Sequence, residues 1–171
     1  MPRFFISHPK PTEIAIRPER ADHPQVEALL GALDAYLATL YEPEANHLLS
    51  VQELLAPEVT LLAAWQDDRI VGTGAVRRRA GVPETGGASY GEVKRMFVDP
   101  SLRGQRIAVR VLAALEEALR GQGITLALLE TGRDQHEAVR LYERCGYTRR
   151  GPFGGYADNG LSLFFSKPLA P

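Results

Sequence analysis

Strand-like and helix-like segments alternate through the second half of this sequence. Ile124–Leu129 is a nearly unbroken apolar run of strand length, which is typical of a central strand covered on both faces. It lies between two predicted helices, Gly104–Arg120 and Asp134–Cys145, which repeat apolar residues at helical spacing and end next to glycine. A further strand is predicted at Tyr90–Val98. Because alternating strands and helices pack in layers, this order predicts an α/β fold with a parallel pair of strands.

The first half of the chain and its C-terminal end supply the other elements. Two apolar runs, Thr60–Ala64 and Ile70–Val76, flank a short polar turn, which predicts an antiparallel hairpin and therefore a mixed sheet. The other predicted elements are a strand at Glu13–Arg17, a helix from Asp22 to Leu40, a helix at Leu48–Leu55, a loop at Arg77–Ser89, and strands at Tyr147–Arg150 and Leu161–Ser166.

The length indicates one folded unit. The chain has 171 residues, and a typical domain has about 150. Residues 1–12 contain three prolines and no sustained periodicity, so we predict an N-terminal tail or edge segment there. Residues 13–171 are predicted to form a single domain.

Charge and composition narrow the range of partners. There are 20 Lys and Arg residues against 21 Asp and Glu residues, a net charge of −1, so nucleic acid is not an expected partner. No apolar run approaches the roughly 18 residues that span a bilayer, so no membrane partner is expected. The single cysteine, Cys145, excludes an intramolecular disulfide and suits a reducing compartment. The histidines lack metal-ligand spacing. We expect a cytoplasmic protein without a metal.

One segment has the order of an anion-binding site. The strand ending at Val98 is followed by a turn, and Arg103-Gly104 then opens a helix. The first N–H groups of a helix have no internal partner and lie at the positive end of its dipole, so a phosphate binds there. Arg103 and Arg106 add charge. A surface loop with solvated arginines is the alternative explanation of this segment taken alone.

Two blocks at the correct separation resemble the GNAT superfamily of acetyl-CoA-dependent N-acetyltransferases. The first is the loop Arg103–Ala108, and the second is the Leu-Tyr-Glu-x-x-Gly-Tyr block at residues 141–147. The resemblance covers roughly residues 60–167. Residues 41–47 and 151–156 resemble a bacterial subgroup that acts on small molecules. The resemblance implies a mostly antiparallel sheet of about six to seven strands, flanked by about four helices, with a splayed central strand pair.

The resemblance implies acetyl-CoA as the co-substrate. The strand before the loop is expected to carry a bulge and to expose backbone groups to pantetheine. The residues implied in acetyl-CoA binding are Met96, Phe97, Val98, Arg103, Gly104, Gln105, Arg106, Ile107, Ala108 and Gln135. Ser101 and Arg106 depart from the family's loop pattern. Arg106 stands where Gly or Ala is usual, so either its guanidinium contacts a phosphate or the loop geometry differs.

The resemblance also implies an acid and a base. Tyr142 is the predicted general acid beside the sulfur of CoA; the alternative is an aromatic side chain that caps the core. Glu92 is the predicted base, acting directly or through a water; the alternative is a strand-end carboxylate paired with Arg or Lys. Cys145 is predicted to be a packing residue and not a nucleophile.

The acceptor side is expected to involve the first two helices and the loop before the last strand. The predicted acceptor residues are Tyr36, Tyr41, Glu42, His47 and Tyr156. The leading hypothesis is direct transfer of acetyl to a primary amine of a small molecule, in a protein that the resemblance allows to be a homodimer. The alternatives are a non-catalytic acyl-CoA sensor and a protein N-terminal or lysine acetyltransferase. A dinucleotide-binding unit is disfavoured because no Gly-x-Gly-x-x-Gly follows a strand.

Overall fold

A computed structural model describes residues 12–171 of the chain. In chain order the elements are β1 (Ile14–Pro18), α1 (Pro24–Ala38), α2 (Val51–Leu54), β2 (Val59–Gln66), β3 (Arg69–Arg79), β4 (Tyr90–Val98), α3 (Ile107–Gly121), β5 (Leu126–Gly132), α4 (His136–Arg144), β6 (Thr148–Arg150) and β7 (Ser162–Pro168). Short 3-10 turns lie at Pro43–Ala45, Pro83–Thr85 and Pro100–Leu102. The predicted tail, residues 1–12, lies outside the described residues except for Thr12.

The strands form one seven-stranded sheet in the order β1-β2-β3-β4-β5-β7-β6. Neighbouring strands are antiparallel except β4 and β5, which run parallel. The predicted hairpin is β2 and β3, whose turn joins Gln66 to Arg69. The predicted mixed, mostly antiparallel α/β fold is therefore confirmed.

Helices cover both faces of the sheet. On one face, Leu115 of α3 lies in the same core cluster as Val93 of β4. On the other face, Leu30 of α1 lies in a core cluster with Leu61 of β2. Burial of each such side chain contributes about 1.5–3 kcal/mol relative to exposure. The sheet is thus the middle layer of three.

The parallel strands β4 and β5 separate soon after they meet. They pair only at Gly91 with Ala127 and at Glu92 with Leu128. Both strands continue beyond these pairs, β4 to Val98 and β5 to Gly132. The two strands therefore diverge into a V-shaped cleft, as expected for a splayed central pair. Beyond these pairs, the edge of β4 that faces this cleft has no partner strand among residues 12–171.

A bulge in β4 lies at the start of the cleft. The β3 partners step from Thr73 opposite Phe97 to Ala75 opposite Lys94, which leaves Arg95 and Met96 opposite a single residue. Arg95 has a φ of 57°, a left-handed backbone conformation that residues other than glycine rarely adopt. Its guanidinium is buried and donates to Asp34 of α1. The ion pair holds the bulge against α1.

Gly74 is the β3 residue opposite this bulge. A Cβ at this position would lie 2.5 Å from Sδ of Met96 and 2.8 Å from Cγ1 of Val111. Since real Cβ atoms do not approach so closely, the bulge and α3 together require glycine here.

Several predicted boundaries are corrected by the structure. Helix α3 begins at Ile107, three residues after the predicted start, because Gly104 and Arg106 adopt left-handed conformations. Helix α2 begins at Val51 because Ser50 caps it, accepting a hydrogen bond from the Glu53 N–H. Strand β3 runs to Arg79, so part of the predicted loop pairs with β4 instead.

Two further properties concern the described part of the chain. None of its helices is long and apolar enough to cross a membrane. Within the same residues, no three His, Cys, Asp or Glu side chains are grouped as they would be around a metal ion.

Candidate active site

Two cavities open at the cleft between β4 and β5. The large cavity has a volume of about 590 Å³ and is lined by the end of β4, residues 102–104, the start of α3 and one side of α4. The small cavity has a volume of about 80 Å³ and is lined by α1, residues 45–48, the middle of β4 and the end of β5. Four residues line both cavities: Leu33, Met96, Gln135 and Tyr142. The two cavities therefore meet at the bulge and at α4.

The large cavity is strongly cationic. Its lining includes Arg103, Arg106, Arg140 and Arg144, against one acidic residue, Glu137. Glu137 pairs with Arg103 at 3.4 Å. Four guanidinium groups around one cavity suit a ligand with several phosphate charges.

The start of α3 offers backbone donors to the large cavity. In the described part of the chain no side chain caps this helix, so its first N–H groups lack a side-chain acceptor there. Gly104, with a φ of 83°, and Arg106, with a φ of 60°, bend the chain immediately before it. The Asp99 carboxylate accepts hydrogen bonds from the Ser101 N–H at 2.9 Å and the Ser101 hydroxyl at 2.7 Å. These bonds from Ser101 lower the pKa of Asp99 and fix the turn that leads into the loop.

Tyr142 lies at the junction of the cavities. It projects from α4, is 6% exposed and contacts the rings of Tyr147 and Phe165. Burial is the main reason that its phenol has a pKa far above the usual value. The phenol therefore stays protonated at neutral pH and is available as a hydrogen-bond donor. Cys145 lines the large cavity, and burial also raises the pKa of its thiol, which disfavours the nucleophilic thiolate.

Glu92 is buried in β4 and lines neither cavity. The Tyr156 hydroxyl donates to its carboxylate, and Nζ of Lys94 lies 3.2 Å from the same carboxylate oxygen. Lys94 also donates to the Tyr156 hydroxyl at 2.7 Å and to the His47 carbonyl at 3.0 Å. Burial and the Glu92 charge raise the pKa of Tyr156. This network joins the loops that contain His47 and Tyr156 to β4. The role of Glu92 as a base stays a prediction.

The predicted acceptor residues are separated by the fold. Tyr41 and His47 line the small cavity, whereas Tyr36 lines the large one. Glu42 is exposed and lines neither cavity. Tyr156 lines neither cavity, but its ring contacts that of His47. Glu42 is therefore a surface carboxylate, and two of the five predicted acceptor residues, Tyr41 and His47, line the small cavity.

Tyr41 closes one side of the small cavity. Its hydroxyl accepts a hydrogen bond from the Asp134 N–H at 3.0 Å. A Cβ on Gly132 would lie 2.1 Å from this hydroxyl oxygen. With the Tyr41 ring in this position, there is therefore no space for any residue larger than glycine at the end of β5. The contact joins the segment after α1 to the loop between β5 and α4.

Glu130 and Lys94 line the small cavity but were not among the residues predicted from the sequence. The predicted central strand ends at Leu129 because the apolar run ends there, whereas β5 continues to Gly132. Glu130 therefore occupies a strand position that faces the cleft. The sequence pattern that could have indicated Glu130 is a carboxylate that directly follows an apolar run and lies two residues before a glycine.

The match to a family model agrees with this geometry. Residues 27–147 match the model of the acetyltransferase (GNAT) family. The chain belongs to this family.

Relatives and solved structures agree over most of the chain. It is 41% identical to IAA acetyltransferase of Azospirillum brasilense over 169 residues. This alignment covers 99% of this chain and 100% of the relative. A Klebsiella pneumoniae protein that is named as a candidate acyl-CoA N-acyltransferase is 35% identical, with a TM-score of 0.74, over 93% of this chain and 99% of that one. The PaiA N-acetyltransferase of Thermoplasma acidophilum, solved with coenzyme A, shares the fold at 15% identity and a TM-score of 0.67 over 91% of this chain and 99% of that one.

The protein is therefore an N-acetyltransferase, and acetyl-CoA is its co-substrate. Three independent features of the large cavity suit acetyl-CoA. Four arginines suit its phosphates, the first N–H groups of α3 suit a pyrophosphate, and the unpaired edge of β4 suits the amide groups of pantetheine.

Proposed function

We propose that this enzyme transfers the acetyl group of acetyl-CoA to a primary amine of a small molecule by direct attack in a ternary complex. The observation that carries the proposal is the meeting of the two cavities at Met96 and Tyr142. A donor in one cavity and an acceptor in the other come into contact there without a covalent carrier on the enzyme.

The large cavity is the donor site in this proposal. Arg103, Gly104, Gln105, Arg106, Ile107 and Ala108 hold the pyrophosphate with their backbone and side chains. Met96, Phe97 and Val98 pair with pantetheine through the open edge of β4. An N–H near Val98 stabilises the thioester oxygen as negative charge develops on it. Gln135, which lines both cavities, lies beside the reacting groups.

Tyr142 assists the departure of sulfur. The amine nitrogen attacks the thioester carbonyl carbon, the carbon–sulfur bond breaks, and the electron pair goes to sulfur. Because the pKa of Tyr142 lies above that of a thiol, the phenol does not give up its proton permanently. It passes the proton to sulfur and recovers one from the newly acylated nitrogen, which leaves amide and free thiol.

The small cavity is the acceptor site. Its volume of about 80 Å³ and its closure by Tyr41 favour a compact amine over a protein segment. The relative from Azospirillum brasilense is named for IAA, which also favours a small acceptor.

The test is thiol release from acetyl-CoA across amino acids, polyamines, aminoglycosides, arylamines and short peptides, with the acetylated product identified by mass spectrometry. The proposal predicts acceptor-dependent release confined to small amines. Release confined to peptide amines would assign a protein acetyltransferase. Tight binding of acetyl-CoA with no release for any acceptor would assign a sensor.

A further inference from the structure

Two carboxylates lie on the same face of the sheet where β4 and β5 separate. Glu92 of β4 is level with Leu128 of β5 in the last parallel pair. Glu130 is two residues further along β5, and side chains two apart in a strand share a face. Glu130 therefore lies on the same face as Glu92, but beyond the point at which the strands have separated.

Glu92 already has its partners. It accepts a hydrogen bond from Tyr156 and is paired with Lys94, and the side chains of Lys94 and Glu92 are only 10% and 6% exposed. Lys94 uses its other donors on the Tyr156 hydroxyl and the His47 carbonyl. A carboxylate with a buried counter-ion has little affinity for the proton of another molecule.

Glu130 is in the opposite situation. Among the residues that the structure describes, it is the one acidic residue in the lining of the small cavity. Within residues 12–171 it forms no ion pair. Burial raises the pKa of its carboxyl, while the Ser162 side chain, His47 and Lys94 act in the opposite direction and Glu92 adds to the rise. A desolvated carboxylate without a counter-ion attracts a cation that enters the cavity.

The neighbours of Glu130 tie it to the reacting centre. Its charge is among the causes that raise the pKa of Tyr142 and of Tyr41, and both of these residues line the same cavity. A molecule bound between Glu130 and Tyr142 lies at the junction with the donor cavity. The predicted acid, Tyr142, and the Glu130 carboxylate thus line the same cavity.

We propose that Glu130 binds the ammonium group of the acceptor and takes its proton before attack. The inference rests on the proposed function. An N–H bond of the ammonium breaks, its proton forms a bond to a Glu130 oxygen, and the nitrogen keeps the electron pair that attacks the thioester carbon. The second proton lost by nitrogen reaches sulfur through Tyr142. After product release, Glu130 returns its proton to water.

The assignment selects a class of acceptor. A basic aliphatic amine is an ammonium ion at neutral pH and needs both a counter-ion and a base. An amine that is already neutral at this pH needs neither. The acceptor is therefore a basic aliphatic amine, and dependence on Glu130 should follow the basicity of the amine.

The experiment compares two primary amines of similar size, n-propylamine and the weakly basic 2,2,2-trifluoroethylamine. kcat/KM is measured by thiol release at pH 7 and saturating acetyl-CoA for the wild-type enzyme and Glu130→Gln. The control is Glu27→Gln, the same substitution at an exposed residue of α1 that lines neither cavity. Glu130→Gln should lose about 10²-fold with propylamine and far less with trifluoroethylamine. Equal losses for both amines, or no loss with propylamine, would overturn the assignment.

A second measurement separates this inference from the proposed function. The carboxyl carbon of Glu130, assigned through Glu130→Gln, is followed by NMR in the CoA-bound protein as propylammonium is added. A saturable shift that is absent for the neutral analogue 1-butanol supports the cation site even if no small amine is acetylated. Absence of a shift in a protein that binds CoA overturns it.

Discussion

The two cavities that meet at Tyr142 are built in different ways. The large cavity takes most of its lining from two short stretches, residues 96–109 and 135–145. The small cavity collects its lining from five separate parts of the chain: α1, residues 41–48, β4, the stretch from β5 to α4, and residues 161–162. The large cavity is rich in arginine. The small cavity is lined by Lys94, which donates to the His47 carbonyl and the Tyr156 hydroxyl, and by the carboxylate of Glu130.

This difference indicates that the large cavity suits a co-substrate common to many enzymes, whereas the small cavity suits an acceptor particular to this enzyme. A cavity made mostly by one strand, one turn and two helices recurs wherever that unit recurs, so it suits a co-substrate shared by many enzymes. A cavity made by loops changes with each loop. Variants should therefore affect donor binding and acceptor use separately, except at the residues that line both cavities.

The largest effect is expected at the junction. Tyr142→Phe keeps the ring that packs against Tyr147 but removes the hydroxyl that we propose as the proton donor to sulfur. Turnover should fall by about 10²–10⁴-fold, while the Kd for acetyl-CoA, measured by calorimetry, stays within the error of the wild type. Unchanged turnover would exclude Tyr142 from the chemistry and leave it a packing residue.

A donor-side effect is expected at Arg106. Arg106→Gln and Arg106→Gly both remove the guanidinium, and each should weaken acetyl-CoA binding by about tenfold without changing KM for the acceptor. Only Arg106→Gly also relieves the left-handed backbone at this residue, which costs other residues about 1–2 kcal/mol. It should therefore have the higher Tm of the two.

The two Arg106 variants decide between the roles of that residue. If Arg106→Gly binds acetyl-CoA as tightly as the wild-type enzyme, the guanidinium makes no contact with a phosphate. Arg106 would then contribute to acetyl-CoA binding only through its backbone conformation. The positive charge that attracts the phosphates would come from the other three arginines of the large cavity.

An acceptor-side effect is expected at Gly132. Gly132→Ala places a methyl group against the Tyr41 hydroxyl and should displace the ring that closes the small cavity. KM for the acceptor should rise about fivefold, equivalent to about 1 kcal/mol, with the Kd for acetyl-CoA unchanged. The control is Gly121→Ala, where a Cβ meets no atom within 4 Å. A loss of acetyl-CoA affinity in Gly132→Ala would show that the cavities are not separable here.

The smallest effect is a pH dependence of stability. The folded state raises the pKa of Glu130, so between the unfolded and folded pKa values the folded protein holds more protons. Its free energy of unfolding should fall as the pH rises through this range. The titratable neighbours are His47, Lys94, Glu92, Tyr41, Tyr142 and Tyr156.

Glu130→Gln provides the comparison for that pH dependence. The variant should equal the wild-type protein in stability at low pH and exceed it near pH 7, as measured by urea unfolding at each pH. A constant difference across the whole range would show that Glu130 does not titrate differently in the folded state.

The fold was largely predictable because each element has a local cause. The apolar run after α3 and the polar turn between β2 and β3 both lie in short stretches of sequence. The boundaries were less predictable, since the late start of α3 depends on two residues with positive φ, and one of them is an arginine. Sequence patterns rarely indicate that conformation for arginine.

The candidate site divides in the same way as the cavities. All the predicted donor residues except Gln135 lie between residues 96 and 108, in the end of β4, one loop and the start of α3. Glu130 and Lys94 could not be assigned to the small cavity in advance, because the bulge and the separation of β4 and β5 decide where they lie. Tyr36 and Glu42 were assigned to the acceptor side from their place in the chain, whereas helix rotation and exposure decide where they lie.

The proposed donor site is tested most directly by a crystal structure of the enzyme with coenzyme A. We expect pantetheine along the open edge of β4, pyrophosphate at the start of α3, and sulfur within hydrogen-bond distance of the Tyr142 hydroxyl where the two cavities meet. A sulfur remote from Tyr142, or directed away from the small cavity, would contradict it.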